Sequence, residues 1–280
     1  MTDQSYSPKS YIHKTQPQIA LEVISVAIYY PGMVKVYVPN VPINKNLPDW
    51  ELDKATRLDF DKAENKTSNE TDLERSIRRS KKLVNDYMLC NQFELFGTFT
   101  IGVDHYDNNH SKNKLKNWLK NQRDRNGRFK YVVVPELHKD GAIHFHVVLD
   151  NYSGKLKKSR SSKTNKLLHK HGKPVYEFDE YKSGFTEVQY IGQTAEDHAK
   201  INNYIRKYIK KDMVTIFGKK RYWASQGLKK PIREDNPQWY MDIEADDKYT
   251  NDYGTIYTYI NLEDKPLPTY VESLTGTDRL

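Results

Sequence analysis

The chain has 280 residues, enough for one sizeable domain with extensions or for two small domains, and it carries a formal net charge of +8 with 37% apolar side chains. A single cysteine, Cys90, excludes an intrachain disulfide and any zinc site built from several thiolates, and no stretch approaches the roughly 20 apolar residues of a membrane span. The positive charge suits a polyanionic partner but is uneven: residues 241–280 hold nine acidic and three basic side chains, net −6, which leaves +14 on residues 1–240.

In chain order, Met1-Thr2-Asp3-Gln4-Ser5 lacks the basic and apolar regions of a secretory signal, so a cytoplasmic protein is expected. Residues 1–17 read as disordered. Ile19 to Pro39, rich in Val, Ile and Tyr around Pro31-Gly32, predicts a hairpin within an N-terminal extension spanning residues 1–71. Helical spacing of Leu73, Ile77, Leu83, Val84, Tyr87 and Met88 predicts a helix over 72–89, with Arg75, Arg78, Arg79, Lys81 and Lys82 on its remaining surface. Phe93–Val103 reads as a buried strand, and Leu115, Trp118 and Leu119 as a short amphipathic helix. Phe129–His138 and Ala142–Leu149 form a second hairpin. Residues 154–173 hold eight Lys and Arg and no acid, and predict a mobile basic loop. Strands are expected at Tyr176–Phe178 and Phe185–Ile191, and a helix over 196–213. Residues 236–280 read as an acidic, tyrosine-rich tail. No GxxxxGK[ST] phosphate loop is present, so no ATPase or helicase motor is visible.

Two groups of residues carry chemistry. His144 and His146 stand one residue apart in an apolar strand, so their side chains share a face. A three-residue loop, Lys139-Asp140-Gly141, would pair His138 with Ala142, Glu136 with His144, and Val134 with His146, putting Glu136 on the histidine face. A two-residue loop, Asp140-Gly141, would pair Leu137 with His144 and turn Glu136 away. With the longer loop, Glu136, His144 and His146 form a ligand set suited to Mg²⁺ or Mn²⁺ acting on phosphate, with His138 a competitor for the third place. The plainer alternative is a pair of surface histidines. His169 and His171 lack an apolar strand context and read as solvated.

The second group is Tyr204-Ile205-Arg206-Lys207-Tyr208-Ile209-Lys210-Lys211. On a helix, residues four apart adjoin, so Tyr204 lies beside Tyr208 and Lys207 beside Lys211, while Ile201, Ile205 and Ile209 form a stripe for packing on a sheet. A phenol is a weak nucleophile toward a phosphodiester unless its anion is stabilised and the phosphate neutralised; a lysine and a metal would do this. The alternative is two packing tyrosines.

Taken together these residues resemble the HUH endonuclease superfamily, and within it the rolling-circle replication initiators of plasmids and small single-stranded DNA phages. Phe96-Gly97-Thr98-Phe99-Thr100 resembles the first strand motif of that family. His144-Phe145-His146-Val147-Val148-Leu149 after Pro135-Glu136-Leu137-His138 resembles its metal motif, and Tyr204 to Lys211 its two-tyrosine YxxKYxxK motif. Similarity extends to Gly184-Phe185 and to Arg221–Pro231, and covers about residues 72–232. The resemblance implies an α+β fold, a central antiparallel sheet flanked by helices, related to ferredoxin-like and RNA-recognition folds, in a nicking-joining domain over 72–235. It implies Mg²⁺ or Mn²⁺ held by Glu136, His144 and His146. It also implies attack by Tyr204 or Tyr208 on single-stranded DNA at a replication origin, aided by Lys207 and Lys211, to leave a 5′-phosphotyrosine and a free 3′-hydroxyl. A host polymerase and helicase would be partners. Which phenol attacks first stays open.

DNA contacts are expected from Lys155, Lys157, Lys158, Arg160 and Lys163 in the basic segment, from Arg206, and from Arg221, Tyr222 and Trp223, where charge and aromatic faces alternate. Core packing is the alternative for Trp223. Two competing readings remain. One is a relaxase or single-strand transposase of the same superfamily. The other is a non-catalytic RNA-recognition-type module, which would carry stacking aromatics where the histidines stand.

Overall fold

The computed structural model describes residues 22–41, 43–44, 71–102, 106–138, 141–210, 220–260 and 262–275. The expectations for residues 1–17, for most of 40–70, for the loop residues Lys139 and Asp140, and for Lys211 lie outside them.

The elements in chain order are β1 (Glu22–Val23), β2 (Val26–Tyr30), β3 (Met33–Pro39), β4 (Ile43–Asn44), α1 (Asp72–Cys90), β5 (Leu95–Ile101), α2 (Asn108–Asn126), β6 (Lys130–Leu137), β7 (Ile143–Asp150), β8 (Leu156–Lys158), β9 (His169–Lys170), β10 (Lys173–Pro174), β11 (Tyr176–Phe178), β12 (Gly184–Tyr190), α3 (Ala195–Arg206), β13 (Trp223–Ala224), β14 (Ile232–Asp235), β15 (Asp247–Asn251), β16 (Gly254–Tyr259) and α4 (Thr269–Thr275). This is the expected α+β class. A seven-stranded sheet runs β13-β6-β7-β5-β12-β11-β8 and a five-stranded sheet runs β14-β2-β3-β16-β15, with every pair antiparallel.

The larger sheet is apolar on both faces in its middle, which is why β7 reads as a near-continuous hydrophobic run. One face, with Phe99, Val133, Phe145, Val147 and Leu149, packs on Leu115, Trp118 and Leu119 of α2. The other, with Val132, Val134 and Val148, packs on Ile77, Val84 and Met88 of α1 and on Ile205 and Ile209 at the end of α3. Each such fully buried aliphatic or aromatic side chain contributes about 1.5–3 kcal/mol.

Helix α1 starts at a capping box: Thr71 Oγ accepts from the Glu74 N–H (3.3 Å), and the Glu74 carboxylate accepts from the Thr71 N–H (3.1 Å). Helix α2 is longer than its three apolar residues predict. The Asp107 carboxylate accepts from the N–H groups of Asn109 and His110, and the remaining turns present Lys, Asn and Arg to solvent.

Three expectations change. Residues 154–173 are not a loop. Strand β8 pairs with β11, an isolated bridge joins Arg160 to Leu167, and β9 and β10 form a small hairpin. The charge of this segment is met from outside it: Lys157 pairs with Glu177 (3.4 Å), Lys173 with Asp197 (3.3 Å), and Lys170 with Glu187. Second, the predicted N-terminal hairpin forms as β2–β3, but β14 and the β15–β16 hairpin pair with it, so residues 232–259 complete its sheet rather than forming a tail. Third, α3 ends at Arg206 instead of running to residue 213. Lys207 caps it, and Tyr208 N–H and Ile209 N–H donate to the carbonyls of Ile205 and Arg206, three residues back, which tightens the last turn.

Candidate active site

The β6–β7 turn sets the geometry. His138 N–H donates to the Ala142 carbonyl (2.8 Å), Leu137 stands opposite Ile143, and Gly141 takes φ +88°, so the three-residue loop is the one that forms. Glu136 then opposes His144, and His144 opposes Thr100 on β5, which in turn opposes Phe185 on β12. These four residues form one rung on the face that α1 and α3 cover in part. The next rung holds Val134, His146, Thr98 and Glu187. Gly184 is required where β12 meets β5: its φ is +152°, and a Cβ there would overlap the Thr100 carbonyl oxygen.

His146 is the centre of the cluster, with 3% of its side chain exposed. Its Nε2 lies 2.7 Å from Glu136 Oε2 and its Nδ1 lies 3.3 Å from the Thr98 hydroxyl. With Nε2–H donating to the carboxylate, Nδ1 accepts from Thr98; a hydroxyl serves either tautomer. His144 Nδ1 makes the equivalent contact with Thr100 at 3.3 Å, and the His144 ring stacks on His138 with centroids 3.8 Å apart. His138 Nε2 is 3.6 Å from the same Glu136 oxygen.

Burial works to raise the Glu136 carboxyl, but the His146 hydrogen bond and the nearby imidazoles outweigh it and hold the group below the usual carboxylate value. Burial lowers His146, and Lys207 and His138 add to that effect against the opposing pull of Glu136, so the imidazole is favoured in its neutral form.

The tyrosines of α3 close over this edge. Tyr208 stacks flat on His146 (4.0 Å between centroids, 18° between planes), and Tyr204 meets His146 edge-on at 5.5 Å and Tyr208 at 5.2 Å. Phe96 lies parallel to His146 (8° between planes), with centroids 6.1 Å apart. Lys207 spans both phenols, with its ammonium 3.9 Å from the Tyr204 ring centre and 4.8 Å from that of Tyr208. Burial first, then a hydrogen bond to Tyr204 and the charge of Glu136, push the Tyr208 hydroxyl far above the ordinary phenol value.

Glu136, His138, His144, His146, Tyr204, Lys207 and Tyr208, drawn from two distant stretches of chain, thus meet in one cluster. The donor set, imidazole nitrogens and a carboxylate oxygen, fits a small divalent ion, and the 2.7 Å between His146 Nε2 and Glu136 Oε2 is near the ~3 Å between adjacent ligands of one ion. As placed, these atoms bond to one another, and among the described residues no group of three or more His, Cys, Asp or Glu is arranged to hold an ion.

Residues 94–213 match a family model of replication-associated proteins, the ORF2 type. The match covers less than half the chain but takes in β5 through α3 and all seven clustered residues, and it leaves the five-stranded sheet outside. No curated protein and no solved structure gives a significant match. Similarity to a replication-associated protein agrees with the positive charge and supports a part in DNA replication with DNA as the partner. No helix among the described residues is long and apolar enough to cross a membrane.

The expected DNA contacts divide. Lys155, Lys157, Lys158, Arg160 and Lys163 are exposed at the β8 edge, and Arg160 donates to the Asn165 carbonyl. Arg206 turns toward α1, where it meets Asn85 at 3.3 Å. Arg221 is buried (6% exposed) and donates to Ser76 of α1, so it is no open surface contact. Tyr222 sits half-buried, edge-on to Tyr87. Trp223 is packed beside the α2-side core, as its core-packing alternative holds.

Sequence reasoning missed the roles of Thr98, Thr100 and Phe185. The signal was the matched alternation Thr98-x-Thr100 and His144-x-His146, readable only once the strands are known to be neighbours. Phe185 stands 75% exposed at the end of the Glu136 rung.

Proposed function

We propose that this protein nicks and rejoins single-stranded DNA at a rolling-circle replication origin, as an HUH-type initiator with a two-tyrosine motif. The observation that carries the reading is the contact of two phenols from α3 with a histidine that also bears the Glu136 carboxylate. Tyr204 and Tyr208 have no need to meet such a pair for packing alone, since Ile201, Ile205 and Ile209 already supply the apolar stripe.

In this reading His144, His146 and Glu136, with His138 adjacent, would hold Mg²⁺ or Mn²⁺, and the bound ion would supply positive charge to the oxygens of the scissile phosphate. Thr98 and Thr100 fix the imidazole rings through Nδ1 and leave Nε2 for that role. One tyrosine loses its proton, its oxygen attacks phosphorus, and the P–O3′ bond breaks; the strand's 5′ side becomes a phosphotyrosine and the departing 3′ oxygen takes up a proton. Lys207, poised over both rings, lies near enough to favour the phenolate formed. The reverse attack by a 3′-hydroxyl rejoins the strand without ATP, because the tyrosyl ester stores the bond energy. Phe185, alone and exposed on the rung, offers a ring for a base beside the cleaved phosphate, and the basic β8 edge would follow the backbone.

The test is a covalent trap. The protein is incubated with a randomised single-stranded DNA library and Mn²⁺, and SDS-resistant adducts are isolated and sequenced. Adducts should depend on metal, converge on one sequence, disappear in EDTA and be absent from the Tyr204→Phe/Tyr208→Phe double variant. Tight DNA binding with no adduct under any of these conditions would leave the binding-module reading instead. Equal trapping by each single variant would show that both phenols serve.

A further inference from the structure

Between α1 and the segment leading into β13 lies an open cavity of about 610 Å³, on the side of the large sheet where α1 packs. Its lining includes Arg75, Arg79, Lys220 and Arg221, against one carboxylate, Asp72, which pairs with Arg75 at 2.8 Å. Ser76 and Ser80 add hydroxyls, and Tyr87 and Tyr222, whose rings meet edge-on at 6.2 Å, form an aromatic wall.

Arg221 is what makes this a built site. Its side chain is 6% exposed, and its Nη1 donates to Ser76 Oγ at 3.0 Å. Its Nε is buried with no hydrogen-bond partner, and no carboxylate among the described residues forms an ion pair with it. A guanidinium taken out of water without a counter-charge costs several kcal/mol, and buried charges persist in proteins when something pairs with them. Here the neighbours that line the space are themselves cationic, so the missing partner is an anion. Planar guanidinium donors, hydroxyls and an aromatic wall are the chemistry that binds a nucleotide phosphate.

We infer that the α1–β13 cavity is a phosphate-binding pocket, separate from the histidine–tyrosine cluster, that takes a nucleotide either as a unit of a DNA strand or as a free nucleoside phosphate. It is built from residues that the nicking chemistry leaves unused, so it stands or falls independently of that chemistry. Strand β13 is the neighbour of β6, the strand that carries Glu136, so a DNA strand lodged here would lie one strand away from the cluster, on the opposite flank from the basic β8 edge.

The experiment uses the full chain in EDTA, which withholds the metal that cleavage needs, with three probes: an oligo(dT) 12-mer, an abasic 12-mer and dATP. Affinity is read by fluorescence anisotropy for the oligomers and by calorimetry for dATP. Arg221→Met should weaken at least one probe about tenfold or more, as expected for loss of a charged hydrogen bond. Lys220→Gln, at the exposed rim where folding is not at risk, should weaken the same probe. For a DNA strand, the slope of log affinity against log salt should fall by about 0.7 per lost phosphate contact. A change for the oligomers alone assigns the site to the DNA backbone, and a change for dATP alone assigns it to a free nucleotide. Arg221→Met should also melt no earlier than the unliganded parent, since it removes an uncompensated charge. Unchanged affinity for all three probes in both variants overturns the proposal, as does an earlier melt of Arg221→Met combined with unchanged binding.

Discussion

On the middle strands of the seven-stranded sheet the polar side chains face a partly open edge: Glu136, His138 and His144 reach toward the surface, and the tyrosines of α3 lie above His146. In the five-stranded sheet the polar side chains close on one another. Trp239 Nε1 donates to the Tyr29 hydroxyl (3.1 Å), Tyr29 donates to the Glu234 carboxylate, and Tyr270 donates to its second oxygen (3.2 Å). Burial, reinforced by Glu234, pushes the Tyr29 phenol well above its ordinary value, so it stays a donor. Polar groups in an apolar sheet can therefore mean two things. Turned to an accessible face with valences to spare they can act on a ligand; saturated by each other they fix architecture.

That division can be broken by mutation. The largest effect is expected from Trp239→Ala in the five-stranded sheet. It empties a nearly buried site and strips Tyr29 of a donor, and should cost about 3–5 kcal/mol in a denaturant melt. Adduct formation per folded molecule should be unchanged; if it is lost, the two sheets do not divide labour in this way. Next, Thr98→Val combined with Thr100→Val should lower Mn²⁺ affinity about 10–100-fold, measured by calorimetry, with little change in melting temperature. A large loss of stability with intact metal affinity would make the threonines architectural.

Phe185→Ala should weaken single-stranded DNA binding by about 1–3 kcal/mol and leave the melt untouched, because the ring is mostly in solvent. The smallest effect concerns pH. Asp246 accepts from the Ile260 N–H (2.7 Å) and from Lys265, and these hold its carboxyl below the usual value. Its folded value lies below its unfolded one, so its stabilisation is present above about pH 4 and fades as the pH falls through the folded value. Asp246→Asn should flatten that part of the pH–melting curve, and an unchanged curve would remove Asp246 from the account.

The sheet edge at His144 was legible because local signals agree. Alternation set the face of each residue, and a glycine-ended loop set the register that puts Glu136 opposite His144. The meeting of Tyr204 with His146 was legible only through family resemblance, since nothing local to either segment specifies the other. The five-stranded sheet was opaque for a related reason. Val26–Tyr30 finds its partner at Ile232–Asp235, some two hundred residues away, and the intervening charge pattern reads as two unrelated ends. The basic segment misled because the acids that neutralise it, Glu177, Glu187 and Asp197, lie outside it. The early end of α3 was hidden because Lys207 to Lys211 keeps helical spacing in sequence while the backbone has already tightened.

Residues 223–235 begin paired to β6 in one sheet and end paired to β2 in the other. A stitch of that kind ties the two sheets into a single folding event, because neither edge is finished until the same dozen residues are in place. Tyr30, whose hydroxyl reaches Asp86 of α1 at 2.9 Å, adds a second seam. Heat or urea should accordingly melt both halves together, with tryptophan fluorescence and far-ultraviolet dichroism tracing one coincident curve.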